Sequence, residues 1–142
     1  MSSRGHSTSI TISAPRQVVW NILRDVESWP KWTPTMSSVA FATQKGFEIG
    51  APVLIQQPGL PLSTWTITAL DDGHSFTWRT KSPGVTVDAG HVVLDQAGKT
   101  IVEFSISMFG PLAAPVWAVF RRKIRGFVAK EIESLQMVAE ET

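Results

Sequence analysis

Two titratable residues lie among apolar ones where the sequence predicts a buried face. His91 belongs to a predicted strand, and its face also carries Val87, Ala89 and Val93 because strand side chains alternate. If this face lines a pocket, His91 is the best candidate for a general acid or base, since the ordinary imidazole pKa is about 6.5. The alternative is a histidine that is simply hydrogen-bonded within the core. A bulge at Gly90 would exchange the two faces.

Glu131 is the second such residue, and it falls within a predicted terminal helix. At about 100° per residue it projects within about 20° of Phe120 and Ile124, near the middle of the apolar stripe. No basic residue lies one turn away on the helix. A buried carboxylate then needs water, a partner from the sheet or a proton. The alternative is that the helix end overhangs the sheet and Glu131 is solvated.

The aromatic residues offer a second kind of chemistry, which is stacking against a ring. The chain has six Trp, seven Phe and no Tyr. Trp65, Trp78 and Trp117 are predicted to face inward and to present flat surfaces to a ligand, although ordinary core packing is the alternative. The other three tryptophans belong to the opening helices and are expected to be scaffold. The candidate ligand-binding residues are Trp65, Ile67, Phe76, Trp78, Val93, Phe104, Ile106, Met108, Trp117, Phe120, Ile124 and Phe127.

Several reaction classes lack the residues they need. The absence of Cys excludes disulfides, thiolate zinc sites and a cysteine nucleophile. The three His residues come from a tail, a turn and a strand, with no i, i+4 pair, so no metal site is predicted. The chain has no G-x-S-x-G elbow, Walker-type loop or G-x-G-x-x-G motif. We therefore expect no metal and no cofactor.

Composition limits the partners. Thirteen Lys and Arg against twelve Asp and Glu give a net charge of +1, which does not favour nucleic-acid binding. No continuous apolar stretch is long enough for a membrane helix, and the first fourteen residues do not look like a secretory signal. We expect a cytoplasmic protein, monomeric or homodimeric, that does not insert into membranes. The basic cluster at Arg121, Arg122, Lys123 and Arg125 is interpreted as a solvated face, with an acidic partner as the lesser alternative.

The elements that must position these residues follow from periodicity. A strand is predicted over residues 7–13, two short helices follow near Pro15 and Trp29, and six strands fit between Met36 and Met108. The short intervals require antiparallel hairpins. A last helix extends from Val116 to about Glu140. The prediction is a single α+β domain, residues 1–142, in which a seven-stranded curved sheet wraps around the long helix and leaves a cavity.

The same elements carry a family pattern. In the opening segment the matching residues are Ile12, Ala14, Pro15, Val19, Trp20, Leu23, Asp25, Trp29, Pro30 and Trp32. Later matches are the Trp65–Asp71 strand, Phe76-Thr77-Trp78-Arg79, His91, Gly98-Lys99-Thr100 and Gly110-Pro111-Leu112-Ala113. With these residues the chain resembles the polyketide cyclase and dehydrase branch of the START and Bet v 1-like superfamily.

The resemblance implies a helix-grip fold that binds a hydrophobic molecule between sheet and helix. Relatives include cyclases, carriers and sensors, so the fold alone does not decide the activity. The leading expectation is a polyketide cyclase or dehydratase in which His91 carries the proton and Glu131 or ordered water assists. The alternative is a carrier or sensor of a lipid, quinone or similar ligand. A third class, a protein-interaction module, would need an exposed apolar patch.

Overall fold

The chain is described by a computed structural model that covers residues 4–142, so the first three residues of the predicted domain lie outside it. The strands are β1 (Gly5–Ile12), β2 (Ser38–Phe41), β3 (Pro52–Gln56), β4 (Ser63–Asp71), β5 (Ser75–Ser82), β6 (Val85–Gln96) and β7 (Lys99–Phe109). The helices are α1 (Arg16–Arg24), a 3₁₀ helix (Val26–Lys31) and α2 (Ala113–Glu140). This order agrees with the predicted one. α2 begins three residues before the predicted Val116.

All seven strands form one antiparallel sheet in the order β1-β7-β6-β5-β4-β3-β2. Strands β2 to β7 are a meander of hairpins, and β1 pairs with β7 at the far edge. Gly73, in the turn between β4 and β5, has a φ of +84°, a backbone conformation that glycine adopts without a steric penalty. The register through Gly90 is regular, so His91 keeps its predicted face. The irregularity lies instead on β4, between Ile67 and Ala69.

The concave face of the sheet is buried by two different parts of the chain. Val19, Trp20 and Leu23 of α1, together with Trp29 of the 3₁₀ helix, are almost completely buried. They cover the end of the sheet near Phe76, whose ring contacts Trp20 and Trp29 edge to face. The opening helices are thus scaffold, as predicted.

α2 covers the other part of this face, but it does so unevenly. Its backbone approaches β1, β7, β6 and α1, whereas within residues 4–142 no Cα of α2 comes within 8 Å of β3, β4 or β5. The residues that it buries almost completely are Ala113 at its start and Ile132, Leu135 and Ala139 in its second half. A gap therefore remains between α2 and the middle of the sheet. In the described part of the chain, neither α-helix combines the length and apolar character needed to cross a bilayer.

Candidate functional site

The gap between α2 and the sheet is a cavity of about 220 Å³. Its walls are the concave faces of β3 to β7, the inner face of α2 and the loop between β3 and β4. The lining residues are Met36, Ile55, Gln57, Leu60, Pro61, Ser63, Trp65, Trp78, Thr80, Val87, Ala89, Gly90, His91, Phe104, Ser105, Ile106, Ile124, Phe127, Val128 and Glu131. The lining residues of the β3–β4 loop are at least partly exposed, and so are Ile124 and Phe127 of α2. The cavity therefore opens between this loop and α2.

The floor of the cavity is low because one strand carries a small residue there. Ala89 of β6 lies in register between Trp78 of β5 and Ile106 of β7. The next concave position along β6 is His91, between Phe76 and Phe104. A methyl group thus lies in the middle of larger side chains, and the space above it is not filled.

His91 forms the polar part of the floor, and it is 3% exposed. Its Nδ1 lies 3.2 Å from the carbonyl oxygen of Phe76, and since a carbonyl can only accept, Nδ1 carries the proton. Nε2 is then an acceptor, and it makes no hydrogen bond to any of residues 4–142. Burial lowers the pKa of His91 to about 4, against a smaller opposing effect of the Phe76 hydrogen bond. The imidazole is therefore neutral near pH 7.

Glu131 faces the cavity from α2 and is 8% exposed, so it does not overhang the sheet in solvent. Its Oε2 accepts a hydrogen bond of 2.9 Å from Oγ1 of Thr35. Burial raises the pKa of Glu131 to about 7, and the Thr35 hydrogen bond limits that rise. The carboxyl group is thus present in both protonation states near neutral pH. The partner that the sequence analysis required comes from the loop before β2, not from the sheet.

Six of the twelve residues predicted to bind a ligand line this cavity: Trp65, Trp78, Phe104, Ile106, Ile124 and Phe127. His91 and Glu131 line it as well.

The other six lie outside it. Ile67, Phe76 and Val93 are buried core residues, and the aromatic rings of α1 and the 3₁₀ helix occupy the space over Phe76. Met108 and Trp117 pack together with Val85 and Ala113 in a separate cluster at the start of α2. Phe120 is 40% exposed and lies in the exposed segment 118–123 of α2, between the buried Trp117 and the buried Val128. The apolar stripe of α2 is therefore longer than the cavity it covers.

Several lining residues were not singled out from the sequence. Strand alternation places Ser63 on the face of Trp65 and Thr80 on the face of Trp78. Both hydroxyls are already used, since Ser63 donates to the Pro61 carbonyl and Thr80 to the Thr64 carbonyl. The Thr35 contact with Glu131 spans 96 residues of sequence, and no local pattern signals it.

Within the described range, 4–142, no three His, Asp or Glu side chains come close enough together to hold a metal ion.

The sheet, the long terminal helix and the cavity between them define a helix-grip domain of the START and Bet v 1-like class. The Zhui aromatase/cyclase from Streptomyces sp. R1128 has this fold (TM-score 0.73, 18% identity, 98% of this chain and 94% of that chain). So does a START superfamily protein from Mycobacterium smegmatis (TM-score 0.75, 11% identity, 99% of each chain). The di-domain ARO/CYC StfQ from the steffimycin biosynthetic pathway is also similar (TM-score 0.80, 10% identity, 98% of this chain and 52% of that chain). The predicted fold is confirmed.

The family assignment rests on the sequence itself. Residues 6–140 match the family described as polyketide cyclase / dehydrase and lipid transport, and the chain belongs to that family. This confirms the resemblance found in the opening helices and in the later strands. No curated protein matches the sequence.

Proposed function

We propose that the protein binds a hydrophobic, ring-containing, polyketide-like molecule in the cavity and catalyses its cyclisation or dehydration, with Glu131 as the general acid and base. The observation that carries this proposal is the composition of the cavity wall. Its lining is mostly apolar and aromatic, and among the described residues, 4–142, His91 and Glu131 are the only titratable side chains in it. The description of the family, polyketide cyclase / dehydrase and lipid transport, includes this class of reaction and also the carrier alternative.

The volume of the cavity supports a ligand of one or two rings. Apolar cavities of about 150 Å³ accept benzene, and this one measures about 220 Å³. Left empty, it would cost about 5 kcal/mol at about 24 cal/mol per Å³, a large share of the stability of a typical domain. A bound molecule would recover part of this cost, and the apolar lining favours an apolar molecule over water.

The two titratable groups suit different roles. A catalytic acid or base works best when its pKa is near the working pH, and the pKa of Glu131 is raised to about 7. The pKa of His91 is lowered to about 4, which makes it a weak base. The sequence suggested His91 as the proton carrier. We instead assign that role to Glu131, and we assign His91 the role of accepting a hydrogen bond from a ligand hydroxyl at Nε2.

The carboxyl group of Glu131 can carry out the proton transfers of both reactions. As a carboxylate, Glu131 removes a proton from the carbon next to a ligand carbonyl, and the resulting enolate attacks a second carbonyl carbon of the same folded chain, whose oxygen takes the proton back from the Glu131 acid. In dehydration, the Glu131 carboxylate first removes the proton from the carbon between the carbonyl and the hydroxyl-bearing carbon, and it then returns this proton to the departing hydroxyl, which leaves as water while the carbon–carbon double bond forms. Holding the two reacting carbons together is worth up to about 7 to 11 kcal/mol of the barrier.

The test uses a small aromatic β-hydroxy ketone, 4-hydroxy-4-phenylbutan-2-one, whose dehydration gives a conjugated enone that is followed by ultraviolet absorbance. We expect the wild type to accelerate this reaction and Glu131→Gln to lose about 10²- to 10⁴-fold of the rate. The matched control is Glu133→Gln, an exposed glutamate on the same helix, which should keep the wild-type rate. Equal rates for the wild type and Glu131→Gln would contradict the proposal.

A second comparison separates catalysis from transport. If the wild type binds naphthalene but does not accelerate the dehydration of 4-hydroxy-4-phenylbutan-2-one over buffer, the result favours a carrier or sensor. His91→Gln should raise KM and leave kcat within about tenfold, because a hydrogen-bonding contact is weakened and the proton carrier is kept. A collapse of kcat at constant KM would return the proton-carrying role to His91.

A further inference from the structure

Two threonines in the loop between the 3₁₀ helix and β2 connect this loop to Glu131. Thr33 is 1% exposed and Thr35 is 3% exposed, so both hydroxyl groups are removed from solvent. We propose that Thr35, oriented by Thr33, is a positioning residue that holds Oε2 of Glu131 and leaves Oε1 free to exchange a proton with the bound molecule. This inference rests on the proposed acid–base role of Glu131 and extends it to residues that do not line the cavity.

The direction of the hydrogen bonds follows from counting protons. Thr35 donates its only hydroxyl proton to Oε2 of Glu131, at 2.9 Å. The 3.0 Å contact between the two hydroxyls must then be donated by Thr33. The Thr33 oxygen in turn accepts from the backbone N–H of Thr35, at 3.3 Å. The three hydrogen bonds thus form one chain that ends at Oε2 of Glu131. Each bond in such a chain polarises the next and strengthens it.

This arrangement assigns different roles to the two carboxyl oxygens. Oε2 is occupied by Thr35, whereas Oε1 makes no hydrogen bond to any residue of the range 4–142. A glutamate side chain has several rotamers, and holding one of them costs conformational entropy that a fixed partner offsets. Because Glu131 lines the cavity, Oε1 is the oxygen available to a bound molecule.

No charged side chain competes with Thr35 for this role. In the part of the chain that the structure describes, His91 is the only other titratable group in the cavity wall, and it is neutral near pH 7. On α1, the 3₁₀ helix, β7 and α2, the charged residues other than Arg16 and Glu131 are all exposed: Arg24, Glu27, Lys31, Lys99, Glu103, Arg121, Arg122, Lys123, Arg125, Lys130, Glu133 and Glu140. Arg16 is paired with Asp95 and Arg79 with Asp88. His6, on β1, does not line the cavity. The Thr35 hydroxyl is thus the main group that stabilises the Glu131 carboxylate.

The experiment measures the protonation of Glu131 without any substrate. The side-chain carboxyl carbon is followed by ¹³C NMR as a function of pH, and its signal is assigned by its absence in Glu131→Gln. In Thr35→Val we expect the pKa of Glu131 to rise by about one to two pH units, because the carboxylate loses its hydrogen bond. Thr35→Ser keeps the hydroxyl and should titrate like the wild type. Thr33→Val should give a smaller rise in the same direction.

The possible outcomes separate this inference from the proposed function. An unchanged Glu131 titration in Thr35→Val, with wild-type near-ultraviolet circular dichroism, overturns the positioning role. If Thr35→Val does not fold, Thr33→Val decides, and a wild-type titration in that variant overturns the role. If the shifts occur but no β-hydroxy ketone reacts, the positioning role stands and the proposed function fails. If the β-hydroxy ketone does react, the pH–rate profile of Thr35→Val should shift to higher pH together with the pKa of Glu131. A merely structural defect would instead lower the rate equally at every pH.

Discussion

The imidazole of His91 is stacked on the ring of Phe76, its neighbour across the β5–β6 pair, with centroids 4.2 Å apart and planes 14° apart. The same residue supplies the carbonyl that accepts from Nδ1. Trp29, Trp78 and Phe104 meet the imidazole edge to face. One strand neighbour thus fixes both the plane of the ring and its tautomer, and the enclosure keeps the imidazole neutral.

The opposite pKa shifts of His91 and Glu131 predict opposite effects of pH on stability. The pKa of Glu131 is raised from 4.5 to about 7, so its contribution to stability is present below pH 4.5 and is lost as the pH rises through about 7. The pKa of His91 is lowered from 6.5 to about 4, so its contribution is present above pH 6.5 and is lost as the pH falls through about 4. Between about pH 4.5 and 6.5 the two effects cancel in the wild type.

Single variants should reveal each effect in urea unfolding. In Glu131→Gln the free energy of unfolding should increase from about pH 4 to 6.5, because unfolding takes up about one proton at His91. In His91→Gln it should decrease from about pH 4.5 to 7, because unfolding releases about one proton from Glu131. Glu133→Gln serves as the exposed control. Parallel pH curves for the wild type and both buried-site variants would show that these two groups do not titrate as described.

The low floor at Ala89 predicts that a larger side chain there blocks binding. In Ala89→Leu the added carbons occupy part of the 220 Å³ cavity, so we expect at least a tenfold loss of naphthalene affinity by fluorescence titration. Because an empty volume is filled, the melting temperature should not fall by more than a few degrees. The control is Ala129→Leu, at an exposed position of α2. Full naphthalene affinity in Ala89→Leu would place the ligand elsewhere.

The tryptophans in the cavity wall predict which emission a ligand quenches. Trp65 and Trp78 line the cavity, with ring centroids 6.2 Å apart. We expect Trp65→Phe and Trp78→Phe each to remove a large part of the quenching caused by an aromatic ligand. Trp20, whose indole N–H donates to Asp72, lies outside the cavity, and Trp20→Phe should leave the ligand-induced quenching intact. The variant Trp117→Phe should likewise leave the quenching intact, because Trp117, which the sequence analysis grouped with the cavity, packs in the separate cluster at the start of α2. Quenching that depends on Trp20 would contradict the assignment.

The docking of α2 depends on its second half. Leu135 is fully buried in the main core, and Leu135→Ala should lower the free energy of unfolding by about 2 to 5 kcal/mol through the cavity it creates. Met137 is 62% exposed, and Met137→Ala should change the free energy of unfolding by no more than about 0.5 kcal/mol. Chemical unfolding followed by tryptophan emission measures both. An equal, small effect of the two substitutions would mean that this half of α2 is not held as described.

The fold was predictable because its signals are local. Alternation over Phe104 and Ile106, the hairpin turns and the stripe of α2 each follow from neighbouring residues. The site was predictable only in part. His91 and Glu131 were found as polar residues on apolar faces. The Thr35 partner was not, because nothing local connects a loop before β2 with a helix near the chain end. Phe120 and Trp117 were placed in the cavity because periodicity gives the direction of a side chain but not how far the helix stands from the sheet.

The terminal helix is held at both ends and is exposed between them. Ala113 and Trp117 are buried at its start and Val128, Ile132, Leu135 and Ala139 in its second half, whereas residues 118–123 are exposed. A trapped molecule leaves through the part of a wall that is easiest to displace. Because the cavity opens near Ile124 and Phe127, next to this exposed segment, we expect ligand exchange without disruption of the core around Leu135. Substitutions in residues 118–123 should then change the residence time of a ligand more than the free energy of unfolding.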